Sequence, residues 1–467
     1  MNTETARIYL RRGKEESLLR RHPWIFSGAI ERVECGDEGI AEGDVVDVYT
    51  KSGDFIARGH YQIGSSAVRV LSFEGEEIDG AWWRDRLAVA YDVRRTLSLT
   101  DNPSTDCYRL VHGEGDSLPG LVVDIYGSTA VVQCHSVGMY HSRGNIADAL
   151  LDIYGDRLSA VYDKSSQTVP YKAGLNAVDG YLRGHSDRKS HVVSENGHKF
   201  AVNWEEGQKT GFFLDQRDNR ELVKRYSAGR TVLNTFCYTG GFSVYAKAGG
   251  AVEVCSVDSS ERAVQLADEN MRLNFGDDVR HDAVAADAVE YLKHIGDKYD
   301  LIILDPPAFA KHHKVLGNAM QGYKRINARA LSQIKSGGIL FTFSCSQAVT
   351  KELFRTTVFS AAAIAGRKVR ILHQLTQPAD HPINIYHPEG EYLKGPVLYA
   401  EQGRALRIRG CCRGEAQVAE DKINRNYRLR ACGVRVVACG ESDSEPPRGE
   451  ATARAAPKSR NYIISLK

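Results

Sequence analysis

Between Ala6 and Leu10 apolar and polar positions alternate, and the same two-residue period returns at 43–49 and 67–71. That period predicts short strands parted by turns, so residues 1–76 are expected to form a small β-rich, barrel-like domain. From 77 to 194 the pattern is mixed. Residues 82–91 carry helical spacing. Residues 121–126 and 130–134 read as a hairpin about Gly127-Ser128, followed by a helix over 139–153 and a strand over 158–162. A central α+β domain is expected there. Between 195 and 400 apolar strands at 231–234, 252–257, 301–304 and 339–342 alternate with helices such as 260–274 and 323–334. Such alternation predicts an α/β, Rossmann-like parallel sheet that binds ligands at its carboxyl edge. From 401 to 467 the chain turns to Arg, Gly, Ala and Cys with few aromatics. That segment, 441–449 above all, is expected to be a disordered extension.

Composition narrows the classes of function. A chain of 467 residues holds two to four domains. Its formal net charge is only +2, so nucleic-acid binding must come from local basic patches. No run of about 18 apolar residues predicts a membrane span, and residues 1–7 carry no hydrophobic signal core. A cytoplasmic protein is expected. The ten cysteines are irregularly spaced and form no CxxC pair, which predicts free thiols and no metal centre.

Candidate chemistry clusters in the α/β region. The strand at 231–234 runs into a Gly-rich turn, in which Asn234, Phe236, Tyr238 and Gly240 are expected to pack against a nucleoside. The next strand ends at Asp258-Ser259, where a carboxylate can accept both ribose hydroxyls or can serve a helix N-terminus. Asp287 follows a third strand; it is expected to meet an adenine amino group or to cap a helix. The fourth strand ends in Asp305-Pro306-Pro307, whose prolines stiffen the loop and hold Asp305 toward a planar substrate. Upstream, residues 206–220 mix Gln216 and Arg217 with Phe212 and Phe213, which reads as a flap over the methionine end of a cofactor.

Cys345 lies in Thr342-Phe343-Ser344-Cys345-Ser346, just past another strand. A lone cysteine is often a small core residue. Polar neighbours at the ligand edge of a sheet instead suit a nucleophile. Methylation of cytosine carbon 5 needs one, because thiolate addition at carbon 6 is what makes carbon 5 nucleophilic. Asp305 would then be the electrostatic partner against the base edge. Methylation of an exocyclic amine needs no adduct and would leave Cys345 idle.

The chain resembles the bacterial 23S ribosomal RNA 5-methylcytosine methyltransferases that carry an N-terminal PUA domain. The matching runs are 21–28 (Arg-His-Pro-Trp-Ile-Phe-Ser-Gly), 113–121, 211–217, 234–240, 305–309, 342–346 and 388–395, with His381-Pro382. The resemblance covers about residues 5–400. It implies S-adenosyl-L-methionine as cofactor, 23S rRNA as partner, Cys345 as nucleophile, and Asp258, Asp287 and Asp305 in the cofactor pocket. A homodimer is compatible with it. Two features depart from the pattern: Ala308 and Phe309 stand where many such enzymes carry a second cysteine, and the chain continues past 400. Guanine-N2 or adenine-N6 methylation, and a non-catalytic ribosome-assembly role, stay open as alternatives.

Overall fold

The computed structural model describes residues 5–37, 39–170, 174–187, 190–277, 279–310 and 315–403. The expected extension beyond 403, with Cys411, Cys412, Cys432 and Cys439, lies outside them.

The first domain is a six-stranded sheet ordered Trp24–Phe26, Ser66–Ser72, Phe55–Tyr61, Val45–Tyr49, Ala6–Leu10, Ile30–Glu34. Ala6–Leu10 and Val45–Tyr49 pair in parallel; the other neighbours are antiparallel. Alternation puts Ile8, Leu10, Val46, Val48, Val68 and Val70 inside. The central domain is a five-stranded sheet ordered Gly180–Arg183, Ala160–Asp163, Thr129–Cys134, Leu121–Tyr126, Cys107–His112. Helices Gly80–Thr96 and Val137–Tyr154 pack with its apolar side chains in one core that includes Trp83, Leu110, Val123 and Leu150. Asp79 and Ser136 cap these helices through their side chains, as short polar residues at helix starts do.

The expected boundary at 194/195 falls inside a hairpin, His191–Glu195 with His198–Val202. On one side Asp106 N–H donates to Ser194 O at 2.9 Å. On the other, Ala201 N–H donates to Asn270 Oδ1 at 2.8 Å. Glu195 is fully buried and takes Arg220 through both oxygens at 2.8 and 2.7 Å. The hairpin thus locks the central domain to the next one.

The third domain is a seven-stranded sheet ordered His281–Ala285, Glu253–Asp258, Thr231–Thr235, Leu301–Leu304, Gly338–Thr342, Gly395–Glu401, Lys368–Leu375. The first five strands are parallel, as their alternation with helices predicts. Leu301–Leu304 is buried along its whole length, because helices cover both faces. Each of its side chains contributes on the order of 1.5–3 kcal/mol by burial. The sheet is not parallel throughout. The crossover through helix Lys351–Ile364 leaves a gap one strand wide, and Gly395–Glu401 fills it antiparallel to both neighbours. Among the described residues no helix is long and apolar enough to cross a membrane.

Candidate active site

The strand Thr231–Thr235 ends in a loop that only a strained backbone can make. Phe236 and Tyr238 have φ of +57° and +46°, and Gly240 has +75°. A left-handed conformation is costly for residues with a Cβ and persists where the surroundings enforce it. At Gly240 a Cβ would sit 2.8 Å from Ala267 Cβ, so the helix Glu261–Phe275 approaches too closely for any larger residue. The turn is held to the next strand by Asp258, whose two oxygens accept N–H groups from Tyr238 and Ser260, each at 3.0 Å. Ser260, not Asp258, caps the following helix, and Ser259 is exposed. Ala286 N–H donates to Asp258 O at 2.8 Å, which places the Asp287 loop beside this turn. Asp287 itself is exposed and caps a short helix by accepting from Glu290 N–H at 2.9 Å.

Asn234 points into the sheet. Its amide donates to Ser243 Oγ at 2.9 Å, within a buried chain through Ser256 to His281, and its Oδ1 has no partner.

The 206–217 segment closes over this edge from the other side. Gln208 N–H donates to the Tyr238 hydroxyl at 3.1 Å, which donates to Gly211 O at 3.3 Å. Phe213 packs edge-on against the Tyr238 ring at 5.1 Å. Gln216 donates to Asp305 at 3.1 Å. Arg217 is buried and committed to Asp380, which it meets at 2.8 and 3.0 Å. Asp305 is half-buried and Pro306 is buried. Burial, reinforced by the charge of Asp215, pushes the Asp305 carboxyl up to about 7. Asp215 goes the other way. Burial pushes its carboxyl up, but Lys209, His381 and the 2.8 Å bond from Tyr392 outweigh it and hold the carboxyl low.

Cys345 follows the strand Gly338–Thr342. Its loop is fixed on both sides: Ser344 Oγ donates to the Tyr323 hydroxyl at 3.0 Å, and Ser346 Oγ donates to Ala310 O at 2.5 Å. Ser344 and Lys394 exchange backbone hydrogen bonds at 2.9 and 3.1 Å, and the Lys394 ammonium donates to Ser346 O and Val349 O at 2.6 and 2.7 Å. Burial pulls that amine down to about 8. The thiol lines a pocket of about 270 Å³ with Ala308, Ala310, Gln347 and Tyr392. Gln347 and Tyr392 also line a cleft of about 1630 Å³ walled by all three domains, with Trp24, Arg69, Arg109, His135, Lys164 and Lys209 among its residues. Burial pushes the Cys345 thiol up to about 11, and the charge of Asp305 adds to the rise.

Asp258, Tyr238, Gly240 and the Asp287 loop thus share one end of the sheet edge; Gln216, Asp305, Pro306 and Cys345 share the other. The reading of the sequence passed over Lys209, Tyr392, Lys394 and Asp380 as individual groups. Lys394 and Tyr392 stood in the 388–395 run, but nothing local marks a lysine whose partners lie near residue 346.

The fit to S-adenosylmethionine can be tested on these residues. Gly240 lets the turn pack directly on the helix Glu261–Phe275, and beside it Asp258 stands half-exposed with both oxygens fixed by backbone donors. Its remaining lone pairs suit a pair of ribose hydroxyls. The residues fit the group.

Comparison with known proteins agrees. Residues 174–384 match the family model of S-adenosylmethionine-dependent methyltransferases, and residues 8–73 that of PUA-like domains. The ribosomal RNA large subunit methyltransferase I of Aeromonas hydrophila is 43% identical over 403 residues, covering 85% of this chain and 100% of that protein. The protein of that name from Escherichia coli O157:H7 is 40% identical over 396 residues, covering 84% and 98%. Among solved structures, a chain from Streptococcus mutans assigned to the SAM-dependent methyltransferases superposes with a TM-score of 0.71 at 24% identity, over 84% of this chain and 99% of its own. A likeness at that identity shows the fold.

Proposed function

The chain belongs to the ribosomal RNA large subunit methyltransferase I family, and we propose that it methylates carbon 5 of a cytosine in 23S rRNA through a covalent adduct to Cys345. It is an S-adenosylmethionine-dependent methyltransferase. When bound, that cofactor supplies an electrophilic methyl group. Asp258 would hold its ribose, the 236–240 turn and the Asp287 loop its adenosine, and Gln216 with Asp305 its other end.

The observation that carries the cytosine reading is the placement of Cys345. The residue lines a small pocket that shares Gln347 and Tyr392 with the large cleft, which supports the reading that a base turned out of an RNA strand in the cleft would meet the thiol. Aromatic and basic groups along the cleft, Trp24, Arg69 and Lys164 among them, suit splayed, single-stranded RNA.

In the free protein the thiol is protonated at neutral pH, and Asp305, at about 7, is poised between its two forms. Asp305 takes the proton from Cys345 Sγ and passes it to cytosine N3 as the sulfur–carbon 6 bond forms. The electrons that would settle on N3 are thereby neutralised, and carbon 5 becomes nucleophilic. Lys394 keeps the nucleophile loop in place throughout. Once carbon 5 is methylated, loss of its proton to a base breaks the sulfur–carbon bond and expels the thiolate, and the N3 proton returns through Asp305 to Sγ, which restores the thiol and the carboxylate.

One observation favours a second reading. A thiol pushed up to about 11, beside an Asp-Pro-Pro loop, would also suit methylation of an exocyclic amine, in which Cys345 takes no part. Labelled S-adenosylmethionine, undermethylated rRNA and digestion to nucleosides separate the two. 5-Methylcytidine made by the native protein and absent with Cys345→Ala is the expected result. Methylated guanosine or adenosine formed equally by both proteins would overturn the covalent route.

A further inference from the structure

At the mouth of the cleft, His22 from the first domain meets His387 and Glu389 from the third. One ligand-type atom from each lies within 4.8 Å of the others. His387 is 3% exposed, and neither of its ring nitrogens has a hydrogen-bond partner. A buried imidazole with both nitrogens unpaired is costly to fold around, so the site asks for something to bind it. The other two residues are set for that purpose. His22 Nδ1 lies 3.2 Å from both Trp24 O and Trp24 N–H, so the Trp24 backbone fixes the ring through one nitrogen and can accept its proton, in the tautomer that leaves Nε2 a lone pair for a metal. Glu389 sits in a short 3-10 turn, Pro388–Gly390, with a carboxylate oxygen 3.8 Å from His387 Nε2. Nearby, Glu114 accepts from Trp24 Nε1 at 2.9 Å and Arg69 at 3.0 Å, while its backbone carbonyl takes the Asn384 amide at 3.0 Å. The three walls of the cleft meet here.

We propose that His22, His387 and Glu389 form a site for a divalent transition-metal ion of the zinc class, which ties the first domain to the third and fixes the width of the cleft mouth. Two imidazoles and a carboxylate suit such an ion, whereas Mg²⁺ and Ca²⁺ prefer all-oxygen sets. A fourth position is left to water or to an RNA phosphate. The site stands apart from Cys345 and is independent of which base is methylated.

The test uses the full chain stripped with chelator and titrated with Zn²⁺, beside Glu389→Gln and His387→Phe. Glu389 is exposed, so its amide variant folds whatever becomes of the buried phenylalanine. The native protein is expected to bind one equivalent of Zn²⁺ that both variants lose or hold at least about tenfold more weakly. Zn²⁺ but not Mg²⁺ should raise its melting temperature. Cysteines can also take zinc. The Co²⁺ spectrum of native protein minus Glu389→Gln should therefore show ligand-field bands without thiolate charge transfer. Equal stoichiometry and affinity in native protein and Glu389→Gln, or a difference spectrum of thiolate type, would overturn the proposal.

Discussion

The side-chain amide of Gln216 donates to Oδ2 of Asp305 at 3.1 Å, and Asn219 holds the other end of that amide by donating to Gln216 Oε1 at 2.6 Å. Hydrogen bonding to a carboxylate favours its charged form, so this bond opposes the burial that lifts Asp305 to about 7. Gln216→Ala should raise the Asp305 pKa further. Because its carboxylate takes the Cys345 proton, the acid limb of kcat/KM should move to higher pH in the variant while the maximum falls. A limb that stays where it was would remove Asp305 from the proton path.

Cys345 offers a direct check of its environment. With the thiol at about 11, alkylation of the Cys345 peptide, followed by mass spectrometry, should be slow at neutral pH and climb about tenfold per pH unit. Lys209 lowers the thiol, so Lys209→Met should slow alkylation further at any given pH. A plateau near neutrality would show a thiolate already present in the free protein.

Asp380 joins two domains. It takes the Arg217 guanidinium, accepts the backbone N–H of Arg109 from the central domain at 3.0 Å, and lies 3.1 Å from His381 Nδ1. Burial pushes its carboxyl up, but His381 and Arg217 outweigh burial and hold it far below the usual carboxylate range. A folded-state value below the unfolded one means stability that is present above the unfolded carboxylate value near ~4 and fades as the pH drops beneath it. Asp380→Asn strands a buried arginine and should cost about 3–5 kcal/mol in denaturant unfolding. A cost under about 1 kcal/mol would show that water or another acid replaces the pair.

Gly240→Ala forces a Cβ into the left-handed region and against Ala267. The backbone cost alone is roughly 1–2 kcal/mol. Calorimetry with S-adenosylhomocysteine should show weakened binding, accompanied by a lower melting temperature. Undiminished affinity would show that the helix yields to the Cβ without moving Tyr238 or Asp258.

Lys394→Met removes the cation that holds the Ser346 and Val349 carbonyls while keeping most of the packing volume. A nucleophile displaced by a fraction of an ångström should cut kcat by on the order of tenfold to a hundredfold and leave cofactor affinity unchanged. A weakened affinity for the cofactor would mean that the damage spreads beyond the loop.

The sheet that carries this chemistry was legible wherever burial is two-sided. Leu301–Leu304 reads directly from its apolar run, and the strands ending at Thr235, Asp258 and Thr342 read to within one residue at their carboxyl ends. Lys368–Leu375 carries no such signal, being an edge strand with five exposed positions out of eight. In the first domain Trp24–Phe26 is three residues long, and Ile30–Glu34 is exposed at all but its first residue. Both are strands by pairing and not by pattern. The site divides the same way. Asp258, Asp305 and Cys345 announce themselves by standing where strands end. The roles of Asp380 and Lys394 depend on partners 163 and 48 residues away, which no local spacing encodes.

The insertion of Gly395–Glu401 between strands made earlier in the chain has a consequence for synthesis. Translation delivers the nucleophile loop some fifty residues before the strand that seats it, so a nascent chain holds Cys345 while the edge of Gly338–Thr342 still lacks its neighbour. Such an edge is a template for any passing strand. The Cys345 loop gains its seat on Lys394 only when Gly395–Glu401 arrives.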